Sequence, residues 1–160
     1  FGKDAGKRLS AKEIADTWEL VKAKEKGGNK TVMSGIPDAM PAILKALSMQ
    51  EKARGCGFDW EKREDVWAKV EEELGEVREA CGEKDAAHEE EEFGDLLFAV
   101  INAARLYGVD PEKALGGTCS KFRRRFTYLE ENTIRKGRKL SDMSLAEMDA
   151  IWDEGKARGL

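Results

Sequence analysis

Apolar residues recur along most of this chain at intervals of three and four, the period of an amphipathic helix, and no segment reads as a strand. Ser10 and Glu13 form a capping box that opens a first helix with Ile14, Trp18 and Val21 on one face; it stops near Gly27-Gly28, where a polar linker runs to about Ser34. Pro37, Asp38 and Pro41 start a second helix carrying Ile43, Leu44, Leu47 and Met49, which ends at Gly55-Cys56-Gly57. A third is expected from about Glu61 to Cys81, with Val70, Leu74, Val77 and Cys81 as its buried stripe and Gly82 closing it. The fourth runs from about Asp85 to Tyr107. Residues 96 to 101 are apolar all round, the pattern of a central helix buried on every side. Asp110-Pro111 opens a fifth helix with Leu115, Phe122, Phe126 and Leu129; Ser144 and Glu147 cap a last one whose buried side is Leu145, Met148 and Trp152. The expectation is an all-α helical fold.

The chain is 160 residues long, one ordinary domain's worth, so two domains are not expected. Its longest apolar run, Leu96 to Ile101, is far too short to cross a bilayer, which excludes a membrane span. Three widely spaced cysteines, Cys56, Cys81 and Cys119, fit neither a disulfide framework nor a thiolate zinc site and point to the cytoplasm. His88 as the single histidine removes most ways of building a zinc hydrolase, a His-based acid/base pair or a Ser-His-Asp triad, and chemistry falls to carboxylates, lysines and arginines. No signal peptide precedes the first helical pattern. A chain beginning at Phe1 is expected to be a segment cut from something longer.

Charge is sharply divided. Glu71 to Asp95 holds twelve acids against Arg78 and Lys84, whereas Glu112 to Lys139 holds nine bases against three acids. The division suits a site that joins a cation to a polyanion, or else two solvated helix faces. On the fourth helix, Glu92-x-x-Asp95 directs two carboxylates toward a common point, and Asn102, seven residues beyond Asp95, shares its face. On the third, Glu73-x-x-Glu76 is the matching pair. Glu73 lies roughly 60 to 70° from the centre of the apolar stripe, at its edge, and Glu72 points to solvent. A short Gly82-Glu83-Lys84 turn would set the pairs side by side. Four carboxylates without histidine favour Mg²⁺, or Mn²⁺, over zinc; the alternative is an ordinary acidic face. Asp85-x-x-His88 has the spacing of one di-iron ligand pair, but no second pair exists, so His88 is read as a surface residue near a helix start.

The stretches E72-E-L-G-E76, E90-E-E-F-G-D-L-L-F-A-V-I-N102 and K121-F-R-R-R-F126 together closely resemble the MazG family of nucleoside triphosphate pyrophosphohydrolases. The resemblance runs from about Ile36 to Leu160 and implies a helical bundle completed by dimerisation. It implies a connecting segment with one helix over 1–35, a catalytic domain over 36–160, and a place as the C-terminal half of a tandem protein. By it, Glu73, Glu76, Glu92 and Asp95 match metal ligands and Asn102 faces the same site. Lys121 and Arg125 match triphosphate-holding positions, and Trp152 and Lys156 a nucleotide-contacting pair. Trp152 otherwise reads as core packing. One departure falls on the basic helix: where the family reads T-N-x-K-F, this chain has Thr118-Cys119-Ser120-Lys121-Phe122. A cysteine lacks the amide donor, and Gly116-Gly117 before it weakens the helix by about 1 kcal/mol each.

The implied activity is Mg²⁺-dependent hydrolysis of nucleoside triphosphates to monophosphate and pyrophosphate, with Glu72 or Glu76 as general base and Lys121 and Arg125 neutralising the leaving group. The implied assembly is a homodimer whose partner can supply the lysine and arginine. Rival readings are a related pyrophosphatase narrowed to dUTP or phosphoribosyl-ATP and a non-catalytic helical dimerisation domain. A nucleic-acid-binding module using Arg123-Arg124-Arg125 is disfavoured by the acidic total.

Overall fold

The computed structural model describes residues 31–160; the first expected helix, with its Ser10 capping box, lies outside them. The described residues form helices and short 3-10 turns and no strand. They fall into two compact units, one up to Pro111 and one from Glu112 to Leu160.

In the first unit, a 3-10 turn at Val32–Gly35 leads past the buried Ile36 to α1, Ala42–Gly55, which begins directly after Pro41. A loop carrying Gly57 at φ 84 and a 3-10 turn, Arg63–Asp65, precede α2, Val66–Glu83. The sequence placed the end of α2 at Gly82; instead the helix continues to Glu83, and Lys84 makes the break in the left-handed region at φ 59. Asp85 then caps α3, Ala86–Leu106, by accepting from the backbone N–H groups of Ala87 and His88. Helices α2 and α3 thus make a tight hairpin, the antiparallel arrangement that a short connection enforces. Helix α1 packs on α3, where the Gln50 amide donates to the Phe98 carbonyl at 2.9 Å. At the open end of the hairpin, the Trp67 indole donates to the Tyr107 hydroxyl at 3.0 Å.

Two packing expectations need correction. The buried side of α2 consists of Val66, Glu73, Val77 and Ala80, while Leu74 and Cys81 are exposed. At about 100° per residue this stripe is turned toward Glu73, which lies inside it rather than at its edge. Nor is α3 buried on all sides: Ala99 and Ala103 are buried, but Phe93, Leu97 and Val100 are exposed, Leu97 to 62%. Those three recur at four and three on a face opposite Asp95, and α1 and α2 cover only the other side.

The second unit contains α4, which starts at Pro111 and ends at Asn132, and α5, Leu145–Ala157. Phe122 packs between Phe126 and Trp152, its ring centre 6.0 and 5.1 Å from theirs. Thr133, 1% exposed, closes α4 by donating to the Leu129 carbonyl at 2.7 Å. Both bonds of the Ser144/Glu147 capping box are present. Gly155 is buried against the Tyr128 ring, which a Cβ there would meet at 3.2 Å. Leu145, expected on the buried side of α5, is 71% exposed: it occupies the first helical position, ahead of the turn that touches α4.

Candidate metal centre and its cavity

The hairpin brings one carboxylate oxygen each from Glu73, Glu92 and Asp95 within 4.8 Å of one another. Glu73 is 5% exposed, Glu92 half-buried and Asp95 exposed. A buried carboxylate needs partners, and in this cluster each buried acid has one on one oxygen only. Lys69, one turn before Glu73, holds its Oε1 at 2.5 Å; His88, one turn before Glu92, holds its Oε1 through Nε2 at 3.1 Å. The second oxygens, Glu73 Oε2 and Glu92 Oε2, are buried without a hydrogen-bond partner. Two unpaired anionic oxygens beside a third carboxylate form a hard, oxygen-only donor set. The residues therefore fit a divalent cation such as Mg²⁺.

Electrostatics reinforce this arrangement. The Lys69 hydrogen bond, outweighing the effect of burial, keeps the Glu73 carboxyl below its ordinary pKa, and the bonds to Glu73 and Glu72 raise that of Lys69. Glu76 moves the other way, raised chiefly by the neighbouring Glu73 carboxylate, with the charges of Glu92 and Glu72 adding to it. Glu76 is exposed and stands outside the three-residue cluster. Glu72 is exposed too, its carboxylate 3.1 Å from the Lys69 ammonium. His88 is drawn upward in pKa first by its bond to Glu83, at 2.9 Å, and then by Glu92. It joins the start of α3 to the cluster, a role its reading as a surface residue misses.

A cavity of about 690 Å³ adjoins the carboxylates, with Glu73 and Asp95 in its wall. Phe98, Met49 and Trp60 give it apolar surface, and Asn102 lines it on the Asp95 face of α3. Arg105, its side chain almost wholly buried, binds Asp59 through both terminal nitrogens and donates from Nε to Asn102 Oδ1 at 2.9 Å. Burial alone would raise the Asp59 carboxyl; hydrogen bonds from Arg105 and the Trp60 N–H, with the charges of Arg105 and Arg54, bring it below its ordinary value.

The remaining candidates stand on the second unit. Lys121 is exposed, Arg125 donates to the Leu160 carbonyl at 2.7 Å and lies 6.0 Å from the Trp152 ring centre, and Lys156 pairs with Asp153 at 3.4 Å. Helix α4 runs unbroken through Gly116-Gly117 and Cys119. Sequence reasoning missed Lys69, Gln50, Asp59 and Arg105. For Lys69 the signal was present as Lys-x-x-x-Glu; the Asp59 and Arg105 pair spans 46 residues and leaves no periodic trace.

With this geometry in place, the class is defined: residues 61–129 match the MazG nucleotide pyrophosphohydrolase domain, so the chain carries a domain of that family. The match encloses Glu72, Glu73, Glu76, Glu92, Asp95, Asn102, Lys121 and Arg125. Among particular relatives, the chain is 43% identical over 140 residues to the nucleoside triphosphate pyrophosphohydrolase/pyrophosphatase MazG of Thermotoga maritima, covering 87% of this chain and 54% of that protein. It is 34% identical over 151 residues to the nucleoside triphosphate pyrophosphohydrolase of Escherichia coli, covering 92% of this chain and 57% of that protein. It is also 43% identical over 146 residues to the protein YabN of Bacillus subtilis, 90% of this chain and 30% of that one. The chain thus spans little more than half the length of the first and second relatives. Among the described residues, no helix is long and apolar enough to cross a membrane.

Proposed function

We propose that this chain hydrolyses nucleoside triphosphates, ribo or deoxyribo, to nucleoside monophosphate and pyrophosphate at the carboxylates of the α2/α3 hairpin. One observation carries the reading: Glu73, Glu92 and Asp95 bring one carboxylate oxygen each within 4.8 Å of one another, Glu73 and Glu92 each keep a buried oxygen without a partner, and Glu73 and Asp95 line a cavity of about 690 Å³. Glu73, Glu92 and Asp95, with Glu76 beside them, would hold Mg²⁺, or Mn²⁺ in its place. A cation so held supplies Lewis acidity toward phosphate oxygens and lowers the pKa of a water.

The chain's own residues do the rest. Lys69 and His88 each occupy one oxygen of a ligand and leave the other for the cation. Water attacks the α-phosphorus, the bond to the bridging oxygen breaks, and pyrophosphate leaves with that oxygen. The water's proton passes to a carboxylate, Glu76 or Glu72. Lys121 and Arg125 neutralise the triphosphate and the departing pyrophosphate, and Trp152 and Lys156 contact the nucleotide.

The assembly proposed is a homodimer, supported by the uncovered Phe93, Leu97 and Val100 face of α3. It lets the basic helix of one subunit serve the carboxylates of the other. A cytoplasmic setting fits the three exposed, unbridged cysteines. Residues 36–160 form the catalytic domain in this reading, after a connecting segment. The test is product analysis by phosphorus NMR after incubating the purified chain with a mixed nucleotide pool and Mg²⁺, without added pyrophosphatase. Monophosphate and pyrophosphate are expected; diphosphate and orthophosphate would overturn the proposal.

A further inference from the structure

The cavity wall holds a buried ion pair that the hydrolytic chemistry does not use. Arg105, its side chain 6% exposed, binds Asp59 with Nη1 to Oδ2 at 3.1 Å and Nη2 to Oδ1 at 2.5 Å, and Nη1 also lies 3.9 Å from Glu51. Such a pair is weak evidence of stabilisation, because apolar side chains of similar volume commonly do as well or better. The third guanidinium nitrogen takes no part in it. Nε reaches Asn102, one turn back on α3, and donates to Oδ1 at 2.9 Å. An arginine has no acceptor, so this bond sets which way the Asn102 amide is turned: the oxygen toward Arg105, leaving Nδ2 as the end that donates from a residue lining the cavity.

We infer that Arg105 is a positioning residue: anchored by Asp59, it holds Asn102 so that the Nδ2 donor meets an acceptor atom of the bound nucleotide. The inference rests on the proposed pyrophosphohydrolase reading, in which the triphosphate is anchored at the carboxylates. Asn102 stands two turns, about 10 Å, along α3 from Asp95, so the two residues meet different parts of one extended ligand. The anchor is itself fixed, because Asp59 Oδ1 also accepts from the Trp60 N–H at 2.9 Å. Arginine suits the task for its geometry. Its rigid fork binds a carboxylate with two nitrogens while the third stays free to donate, whereas lysine, a point charge on a flexible stem, keeps a charge for Asp59 but cannot hold both partners in this way.

The test is a double-mutant cycle in kcat/KM for ATP with Mg²⁺, using Arg105→Lys, Asn102→Ala and the two together, at a temperature where each is fully folded. Arg105→Lys is expected to lower kcat/KM about threefold to tenfold, the worth of one neutral hydrogen bond, and to cost nothing further in the Asn102→Ala background. A merely structural role for Arg105 costs the same factor in both backgrounds; that result overturns the inference, as does an Arg105→Lys chain with unchanged kcat/KM. Asp59→Leu/Arg105→Met removes both charges, so that neither is left buried alone; it should show the same loss, and full activity in it also overturns the inference. One measurement needs no variant to fold. In ¹⁵N NMR of the unmodified chain the Asn102 side-chain amide should shift when Mg²⁺ and α,β-imido ATP are added, and an unmoved signal overturns the inference. An unmodified chain that releases no pyrophosphate sinks the pyrophosphohydrolase reading itself, whereas pyrophosphate release with fully additive losses sinks the role of Arg105 alone.

Discussion

At Glu73 a carboxylate occupies a place in the buried stripe of α2 where an apolar residue would pack best, and Lys69 makes this tolerable by pairing with one oxygen. Replacing Lys69 by Met removes that partner and leaves the carboxylate unpaired. An orphaned buried group costs about 1–3 kcal/mol; because the Lys69 side chain is 41% exposed, solvent screens part of its contribution. Lys69→Met should therefore lower metal-free stability by about 1–2 kcal/mol, and Mg²⁺ should recover part of the loss. Urea unfolding with and without Mg²⁺ checks this, and an unchanged midpoint without metal would contradict it. The sequence carried the E-x-x-E and E-x-x-D pairs plainly, since ligands three apart on one helix leave a local pattern. It placed Glu73 at the stripe's edge because Leu74 and Cys81 were counted as core, and hydrophobicity alone does not tell a covered leucine from an exposed one.

Helix ends were the most legible features at the scale of elements, because capping depends on neighbouring residues and not on tertiary packing. Ser144 and Glu147 act as the sequence indicated, and Asp85, where the fourth helix was expected to start, caps it. The end of α2 was not legible, since Gly82 continues the helix and Lys84, with a side chain rare in the left-handed region, makes the turn. Glu147 gives α5 a pH dependence. Hydrogen bonds first from Arg138, then from the Ser144 backbone and hydroxyl, lower its pKa from 4.5 to about 2. A carboxyl depressed on folding stabilises the protein fully above its unfolded value, and the contribution is lost as pH falls through the folded one. The melting-temperature difference between the unmodified chain and Glu147→Gln should hold steady above pH 4.5 and shrink toward pH 2. A difference that stays constant across this window would remove Glu147 from the cap.

Across the whole molecule, the run from Leu96 to Ile101 led to the expectation of a helix enclosed on every side, yet one face of α3 stays open. The sequence reports that a face is apolar, not which chain covers it. In the proposed dimer a second copy packs against Phe93, Leu97 and Val100. Leu97→Asp puts a charge into that interface at a side chain already 62% exposed in this chain. It should raise the dimer dissociation constant at least about tenfold while leaving helical content unchanged. Light scattering reads the mass directly, and a monomeric unmodified chain at micromolar concentration would contradict the assembly. The pairing of Asp59 with Arg105 and the reach of Gln50 to Phe98 also belong to this scale. Only the packed fold brings them together, so no local pattern marked them.

A divalent-cation site formed by Glu73, Glu92 and Asp95 is tested most directly by thermal melting of the unmodified chain and Asp95→Asn, each with and without Mg²⁺. A ligand that binds only the folded state stabilises it by about 2.7 kcal/mol at one hundred times its Kd, so the unmodified chain should melt higher with Mg²⁺. Asp95→Asn relieves one repulsion among crowded carboxylates, so the metal-free variant should melt at the same temperature or above. It should also lose most of the Mg²⁺-induced rise and all pyrophosphate release. An Asp95→Asn protein that keeps the full Mg²⁺ shift, or an unmodified chain that shows none, would contradict a metal centre at the α2/α3 hairpin.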